Sequence, residues 1–356
     1  MAPIALDMKK ATRLTREGRL QEAMDLLRGA QTSQARPAAT FATLDARLAP
    51  LTSLRHVGLP SGNLHHGRAS VKVPDGARFE DCEYATAAGT RNYKVYVPSS
   101  YRGDALPLVV MLHGCTQDPE DFAAGTGMND LAEELGFLVV YPAQSQAANM
   151  SRCWNWFNVG EQQRNGGEPS LIAGITREVM QTYAVRADQV YVAGLSAGGA
   201  CASIMGATHP DLFAAIGVHS GLACGAARDV PSAFSAMKQG SPGRGGKSPV
   251  PTIVFHGDSD QTVHPANAES VIAHSKARAT LDAIEVEGEA NGRSYTRTTH
   301  VDGEGRVLLE QWSLHGAGHA WSGGNAAGSY TDPKGPNASR EMVRFFLSHT
   351  LGERDG

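Results

Sequence analysis

The sequence predicts an α/β fold in which helices cover both faces of a mainly parallel sheet. From residue 106 onward, short apolar runs typical of buried strands alternate with longer segments of helical period. Polar, glycine-rich loops follow several of the apolar runs. The carboxyl ends of parallel strands share one edge of a sheet, and ligands bind there. We therefore expect the functional residues to lie in these loops.

The elements can be assigned in chain order. Predicted strands cover 79–85, 91–97, 106–112, 137–141, 189–193, 214–219, 252–256, 293–301 and 307–314. Predicted helices cover 122–135, 171–183, the alanine-rich segment from 199, and 340–351. The first two strands form an antiparallel pair, and the last two form a hairpin around the turn Asp302-Gly303-Glu304-Gly305. The segment Ala223–Pro251 is rich in glycine and proline, which predicts either a mobile loop or lid beside the site or a featureless surface loop.

The N-terminal part differs in character from the rest of the chain. Residues 1–35 carry a leucine stripe interrupted at Gly18, which predicts a helical hairpin. Residues 36–74 lack a clear period and are interpreted as an extended linker or arm, leaving 75–352 as the α/β domain. The hairpin could pack on that domain or mediate self-association, and the oligomeric state stays open.

Composition narrows the class of partner. The chain has 356 residues, a formal net charge of −4 and 19% charged residues, which gives no reason to expect nucleic acid or an anionic membrane. No apolar run approaches the roughly 18 residues of a membrane span. The N-terminus becomes polar at once and lacks the apolar core of a signal peptide. These observations predict a cytoplasmic location.

The segment GLSAG at 194–198 follows an apolar run and opens the alanine-rich helix. This arrangement is typical of a nucleophile elbow, in which a sharp turn between strand and helix exposes the hydroxyl of Ser196. Such a turn requires glycine on both sides because larger residues would collide. The pentapeptide alone is also compatible with an ordinary glycine-rich turn, so the assignment depends on the segments that follow.

Those segments supply a candidate acid and a candidate base in the chain order of an α/β-hydrolase. The strand 252–256 leads into a loop with Asp258 and Asp260, and the strand 307–314 leads into a loop with His315 and His319. A serine needs an imidazole to accept its proton and a carboxylate to orient the imidazole. His315 and His319 could instead be a pair of metal ligands, but the sequence has no further ligands at suitable spacing. The predicted chemistry needs no cofactor.

The strand 106–112 supplies a fourth element. In the α/β-hydrolase fold, the loop after this strand provides one backbone N–H of the oxyanion hole, and the residue after the nucleophile provides the other. Here those residues are Cys115 and Ala197.

With these motifs in place, the chain resembles the esterases of the polyhydroxybutyrate depolymerase family, within the α/β-hydrolases. The resemblance covers roughly 75–350 and is carried by HGCTQ at 113–117, CWNWF at 153–157, GLSAGG at 194–199, HSG at 219–221, HG at 256–257 with Asp260 and Val263, and GHAW at 318–321. It implies Ser196 as nucleophile, Asp260 as acid and His319 as base. The spacing to Val263 selects Asp260 over Asp258.

The resemblance also implies a range of substrates. It implies a serine esterase that hydrolyses short-chain esters and oligomeric or polymeric hydroxyalkanoates through an acyl-enzyme. Feruloyl and acetyl-xylan esterases share much of the pattern and form the main alternative, and a non-catalytic hydrolase-like binding module is the second. Relatives of this family are often secreted, so an extracellular location is the alternative to the cytoplasm.

Tryptophans and cysteines near these motifs are further candidates. Trp321 lies two residues after the proposed base, and the resemblance places Trp154 and Trp156 at the rim, so all three are candidate substrate contacts. The alternative for the tryptophans is core packing. The resemblance also places Cys115 and Cys153 in two loops around the site, where they could form a disulfide; the alternative is that all five cysteines are reduced.

Overall fold

The computed structural model describes residues 71–86, 89–241, 250–276 and 279–354. The predicted helical hairpin, 1–35, and nearly all of the predicted linker, 36–74, lie outside the described residues. Among the described residues, no helix combines the length and apolar character that a membrane crossing requires.

A ten-stranded sheet carries most of the described chain. Its strands are β1 (Arg78–Thr86), β2 (Gly89–Val97), β3 (Leu106–Leu112), β4 (Leu138–Pro142), β5 (Val185–Leu195), β6 (Ala215–His219), β7 (Thr252–Gly257), β8 (Asp282–Ala290), β9 (Arg293–Val301) and β10 (Val307–Leu314). Their order across the sheet is β1-β2-β4-β3-β5-β6-β7-β10-β9-β8. The six central strands β4, β3, β5, β6, β7 and β10 are parallel, and antiparallel strands flank them on both sides. The predicted mainly parallel sheet is confirmed.

Seven α-helices lie within the described residues. They are α1 (Pro119–Thr126), α2 (Met128–Leu135), α3 (Gly167–Thr182), α4 (Ala197–Thr208), α5 (Val230–Gln239), α6 (Ala266–Lys276) and α7 (Ala338–Leu347). A second, two-stranded sheet pairs β11 (Trp321–Ser322) with β12 (Thr331–Asp332), and short 3₁₀ helices cover Val159–Gln162 and Leu351–Arg354.

The sheet separates two apolar cores. Successive side chains of a strand point to opposite faces, so Val110 packs in the core with α3 and α4, whereas Val109 packs in the core with α1, α2 and α7. Both valines are at most 2% exposed, and each such buried side chain contributes about 1.5–3 kcal/mol through the hydrophobic effect. The strand ends are therefore fixed by packing on both faces.

Two predicted segments differ from the structure. The single helix expected over 122–135 is divided at Gly127, whose φ of 61° ends α1 and precedes α2. Glycine adopts this left-handed conformation without a steric penalty. The apolar period continues across the break, so the division could not be seen from the pattern.

The second difference concerns the expected lid, Ala223–Pro251. The helix α5 occupies its centre and begins at a capping box, in which the Asp229 carboxylate accepts from the Ser232 N–H at 2.9 Å. Ala233 and Ala236 of α5 are buried in the core. The described part is therefore a packed helix, and residues 242–249 lie outside the described residues.

The sequence prediction omitted α6 and β8. In β8 apolar and acidic residues alternate, but Ile284 and Val286 are 52% and 45% exposed at the edge of the sheet. Such alternation is itself a strand signal, and the sequence prediction missed it.

Candidate active site

Ser196 lies on a strained turn between β5 and α4. Its φ of 58° and ψ of −118° are unfavourable for a residue with a side chain. A Cβ on Gly198 would collide with the carbonyl oxygen of Leu112, and a Cβ on Gly194 would collide with the backbone of Gly198. Only glycine fits at both positions. The turn has the geometry expected of a nucleophile elbow.

Asp260 lies in the loop after β7, with its side chain fully buried. One carboxylate oxygen accepts from the backbone N–H groups of Thr262 at 2.8 Å and Val263 at 2.9 Å. The other is 2.7 Å from Nδ1 of His319. Burial alone would raise the pKa of the Asp260 carboxyl, but the hydrogen bond and the charge of His319 lower it on balance. Asp260 is thus held as a carboxylate.

His319 is oriented by this contact. A carboxylate only accepts hydrogen bonds, so Nδ1 carries the proton and Nε2 is the basic nitrogen. Within the described part of the chain, Nε2 has no hydrogen-bond partner, and the Ser196 hydroxyl is not bonded to it. The structure therefore brings His319 together with Asp260 directly and leaves Nε2 available.

The loop that carries His319 is tied to both neighbouring strand ends. The Ser259 N–H donates to the Ala317 carbonyl at 3.1 Å, next to the end of β7. At β6, His219 receives the Ser322 N–H on Nε2 at 3.0 Å, and its own carbonyl accepts the Ser196 N–H at 2.9 Å. His219 therefore links the elbow to the loop that follows His319.

A second Asp–His pair lies beside the first. Asp258 is 3.1 Å from Nδ1 of His315 and accepts the Gly316 N–H at 2.7 Å. The other ring nitrogen of His315 is 2.9 Å from the Thr296 hydroxyl. The side chains of Asp258 and His315 are 46% and 41% exposed, so this pair is at the surface and both nitrogens of its imidazole are already bonded.

The loop after β3 approaches the elbow from the other side. A Cβ added to Gly114 would lie 3.7 Å from the Cβ of Ser196, and Cys115 forms a disulfide with Cys153. Among the described residues, the backbone N–H groups of Cys115 and Ala197 have no hydrogen-bond partner. The Ala197 N–H is in the first turn of α4, where N–H groups lack partners within the helix and the helix dipole favours negative charge. Both amides are therefore free to bind an oxyanion.

A buried carboxylate supports the Cys153 loop. Glu168, in the first turn of α3, accepts the N–H of Asn155 at 2.7 Å and the side-chain amide of Gln144. The same amide donates to the Cys153 carbonyl at 2.9 Å. Burial, followed by the charge of Glu161, raises the pKa of Glu168 to about 7. This network is distant from Ser196 in sequence and connects to the Cys115 loop through the disulfide.

Two buried histidines also fix loops near the elbow. Nδ1 of His113 donates to the Gly114 carbonyl at 2.7 Å, and Nε2 accepts the Gln144 N–H at 3.1 Å. Burial lowers the pKa of His113 to about 4 and that of His219 to about 3. Both imidazoles are therefore neutral at physiological pH.

The three tryptophans are not on an exposed wall. Trp154, Trp156 and Trp321 are 1%, 4% and 1% exposed. Trp154 donates its indole N–H to the His113 carbonyl at 3.0 Å, and Trp321 stacks on His219 with ring centroids 5.0 Å apart. All three rings are buried in the apolar cores, so their surroundings favour the alternative of core packing over the predicted substrate contacts.

Sequence reasoning missed two features of the site. Glu168 gave no signal, because a single glutamate near a predicted helix start is common. Thr116 belongs to a recognised motif, but its φ of 68° and its contacts could not be read from the sequence.

The fold and the site define the class of protein. Chains of known structure with the same architecture include an acetyl xylan esterase from Aspergillus awamori, with a TM-score of 0.56 and 22% identity, which covers 72% of this chain and 94% of that chain. The chain therefore has the α/β-hydrolase fold.

Comparison of sequences gives the family. The family model Esterase PHB depolymerase matches residues 91–291, more than half of the chain, and the chain belongs to this family. It is 33% identical over 250 residues to poly(3-hydroxyalkanoate) depolymerase C of Paucimonas lemoignei, covering 66% of this chain and 60% of that protein. It is 29% identical over 272 residues to poly(3-hydroxybutyrate) depolymerase of Ralstonia pickettii, covering 70% and 55%. The chain thus spans somewhat over half the length of these relatives.

Proposed function

We propose that the protein is a serine esterase that hydrolyses short-chain esters and hydroxyalkanoate esters, with Ser196 as nucleophile, His319 as general base and Asp260 as the acid. The observation that carries the proposal is the buried 2.7 Å contact between Asp260 and Nδ1 of His319, which leaves Nε2 unbonded among the described residues. The elbow holds Ser196 at the edge of the sheet where that imidazole lies. Hydrogen bonds between nucleophile and base often form only when substrate is bound.

The proposed reaction proceeds through an acyl-enzyme. The Ser196 oxygen attacks the ester carbonyl while Nε2 of His319 accepts its proton, and the imidazolium is stabilised by the Asp260 carboxylate. The tetrahedral intermediate collapses with cleavage of the ester C–O bond, and His319 gives the proton to the departing alcohol. Water then repeats the sequence, releasing the carboxylic acid and free Ser196. This chemistry requires no cofactor.

The amides of Cys115 and Ala197 are proposed to stabilise the oxyanion of both intermediates. Each hydrogen-bond donor of this kind is worth about 2.7–4 kcal/mol of transition-state stabilisation. The disulfide, the strained Thr116 and the Glu168 network support the orientation of the Cys115 amide, because each restrains the backbone on one side of it.

The substrate class is proposed from the relatives. The two relatives described above are named depolymerases of poly(3-hydroxyalkanoate) and poly(3-hydroxybutyrate). We therefore expect turnover of 3-hydroxybutyrate oligomers and of short p-nitrophenyl esters. Faster turnover of methyl ferulate or acetylated xylan would favour the alternative esterase class.

The assignment of the nucleophile is tested by assaying the Ser196→Ala variant on these same esters. Removal of a catalytic serine costs on the order of 10⁶ in kcat. Ser259→Ala, which alters an exposed serine in the loop before Asp260, is the matched control and should retain wild-type turnover. Retention of more than a few per cent of activity by Ser196→Ala would mean that another group is the nucleophile, and a folded, inactive wild-type protein would favour the binding-module alternative.

The location is proposed from the cysteines. Disulfides persist in oxidising compartments, so the Cys115–Cys153 disulfide favours the extracytoplasmic alternative over the cytoplasmic prediction. Cys82, Cys201 and Cys224 are thiols. Thiol titration of the denatured, unreduced protein should therefore detect three thiols. A count of five would mean that the disulfide is absent and would favour the cytoplasmic prediction.

A further inference from the structure

Tyr330 is an exposed, strained aromatic residue outside the machinery described so far. It lies between β11 and β12, with a φ of 52° and 39% of its surface exposed. A bulky residue with positive φ costs free energy, and such conformations persist where the surroundings enforce them. Strained residues of this kind cluster at functional sites, which makes the exposed ring of Tyr330 a candidate for a role in the site.

The residue spans two loops of the candidate site. Its carbonyl accepts the N–H of Trp321 at 2.7 Å, two residues after His319. Its hydroxyl is 3.2 Å from the hydroxyl of Thr116, which follows Cys115 directly. Tyr330 therefore connects the loop of the proposed base with the loop of the proposed oxyanion hole.

The direction of these hydrogen bonds fixes the ring. The Thr116 hydroxyl lies 2.6 Å from the Cys115 carbonyl, which can only accept, so the single hydroxyl proton of Thr116 is donated there. The Tyr330 hydroxyl must then donate to the Thr116 oxygen. The phenol is anchored at its tip and at its backbone, and the exposed face of the ring between these anchors cannot turn away.

The loop itself is rigidly attached. The N–H of Ser329 donates to Asp121 at 2.9 Å, and the Ser329 carbonyl accepts from the side chain of Gln117 at 3.0 Å. Thr331 donates its hydroxyl to the Asn325 carbonyl at 2.9 Å. Contacts on both sides of Tyr330 thus hold its backbone in the strained conformation.

Thr116 is also held by the loop that contains Met150 and Ser151. The Thr116 N–H donates to the Ser151 carbonyl at 2.7 Å, and the adjacent Met150 is 61% exposed. The backbone of Thr116 is therefore restrained by the Ser151 loop as well as by the neighbouring disulfide.

We propose that the ring of Tyr330 is a wall of the ester-binding groove and contacts an apolar chain of the ester, on either the acyl or the alcohol side of the scissile bond. The proposal rests on the proposed esterase function. An apolar chain that covers the ring removes both surfaces from water, and full burial of one methylene contributes a factor of about four in binding. Tyr330 therefore determines chain-length selectivity.

The test compares Tyr330→Ala with Tyr330→Phe in two series, p-nitrophenyl esters from acetate to hexanoate and acetate esters of lengthening alcohols. Tyr330→Ala should reduce the preference for butyrate over acetate in kcat/KM, or the corresponding preference among alcohols, by about fivefold, mainly through KM. Tyr330→Phe keeps the ring and should keep the preference. Ile284→Ala removes an exposed apolar side chain from the distant strand β8 and is the matched control.

An equal fall of kcat for every chain length in Tyr330→Ala would show that the residue only supports the Thr116 loop, and would overturn the proposal. Unchanged selectivity in both series would overturn it as well. Failure of the proposed function gives a different result: either the wild-type protein would not hydrolyse these esters, or its activity would survive Ser196→Ala, whatever the Tyr330 variants do.

Discussion

Two Asp–His pairs lie side by side in this molecule, and the same two loops supply both. Asp260 and His319 have side chains that are 0% and 12% exposed, whereas those of Asp258 and His315 are 46% and 41% exposed. The chemical groups are identical and the contacts are similar, at 2.7 Å and 3.1 Å. The difference between the pairs is therefore one of environment.

Environment decides what each imidazole can do. The first pair is screened little by water, so the Asp260 carboxylate acts strongly on His319. The Nε2 atom of His319 has no partner among the described residues, whereas that of His315 is 2.9 Å from the Thr296 hydroxyl. An imidazole with both nitrogens bonded on the protein surface serves to fix a loop, while one with an unbonded nitrogen can accept a proton from a nucleophile.

The largest expected effect separates the two histidines. His319→Ala should lower kcat by on the order of 10⁶, as removal of a triad histidine does, whereas His315→Ala should stay within about threefold because it changes only loop stability. Kinetics on p-nitrophenyl butyrate, with circular dichroism to verify folding, measures both variants. Similar losses would mean that the two pairs share the catalytic role.

Substitution of the two aspartates should distinguish the two pairs in the same direction, with a smaller loss of kcat than substitution of the histidines. Asp260→Asn keeps the volume of the side chain but presents an amide to Nδ1 of His319, which favours the wrong tautomer and costs about 10⁴ in kcat. Asp258→Asn should retain near-wild-type kcat. The reverse ranking of the two variants would transfer the acid role to the surface pair.

A third carboxylate sharpens the comparison, because Glu168 is buried without a histidine. Its pKa is raised to about 7 by burial and by Glu161, whereas the pKa of Asp260 is lowered on balance. From the ordinary value of 4.5 up to about 7, folded Glu168 keeps a proton that the unfolded chain has released. Its contribution to the free energy of unfolding therefore falls as pH rises through this window, by at most about 1.4 kcal/mol per pH unit.

Glu168→Gln removes this titration, so the stability of the variant relative to wild type should increase between pH 4.5 and 7. Urea unfolding at several pH values measures the difference. Glu161→Gln, which leaves the Glu168 carboxyl in place, is the companion variant and should reduce the slope without abolishing it. A difference between Glu168→Gln and wild type that does not vary with pH would contradict the assignment of a raised pKa to Glu168.

The smallest effect concerns the surface pair. Contacts between exposed charged groups contribute about 0–1 kcal/mol and are screened by salt. Asp258→Asn should therefore cost less than about 1 kcal/mol of unfolding free energy in 50 mM salt, and the cost should shrink in 1 M NaCl. A large, salt-independent loss would place Asp258 in a buried network like that of Asp260.

Prediction from the sequence succeeded where local patterns are directly linked to backbone geometry. The strand β3 has the predicted bounds, and the hairpin of β9 and β10 forms as expected. The glycines around Ser196 specified a turn that admits no other residue, so the elbow could be located before the fold was known. Prediction was wrong for the single helix over 122–135, which Gly127 divides, and it missed the helix α5 that the Asp229 cap begins within 223–251.

Sequence pattern alone therefore predicted the α/β architecture, the chain order of the proposed nucleophile, acid and base, and the loops that contain them. It could not distinguish Asp260 from Asp258 or His319 from His315 without the family resemblance, since two residues along one loop differ little in pattern. Tertiary structure decided burial: it enclosed Asp260, buried the three tryptophans and exposed Tyr330. Burial depends on strands and loops that are far apart in the sequence, and no local pattern records which of them meet.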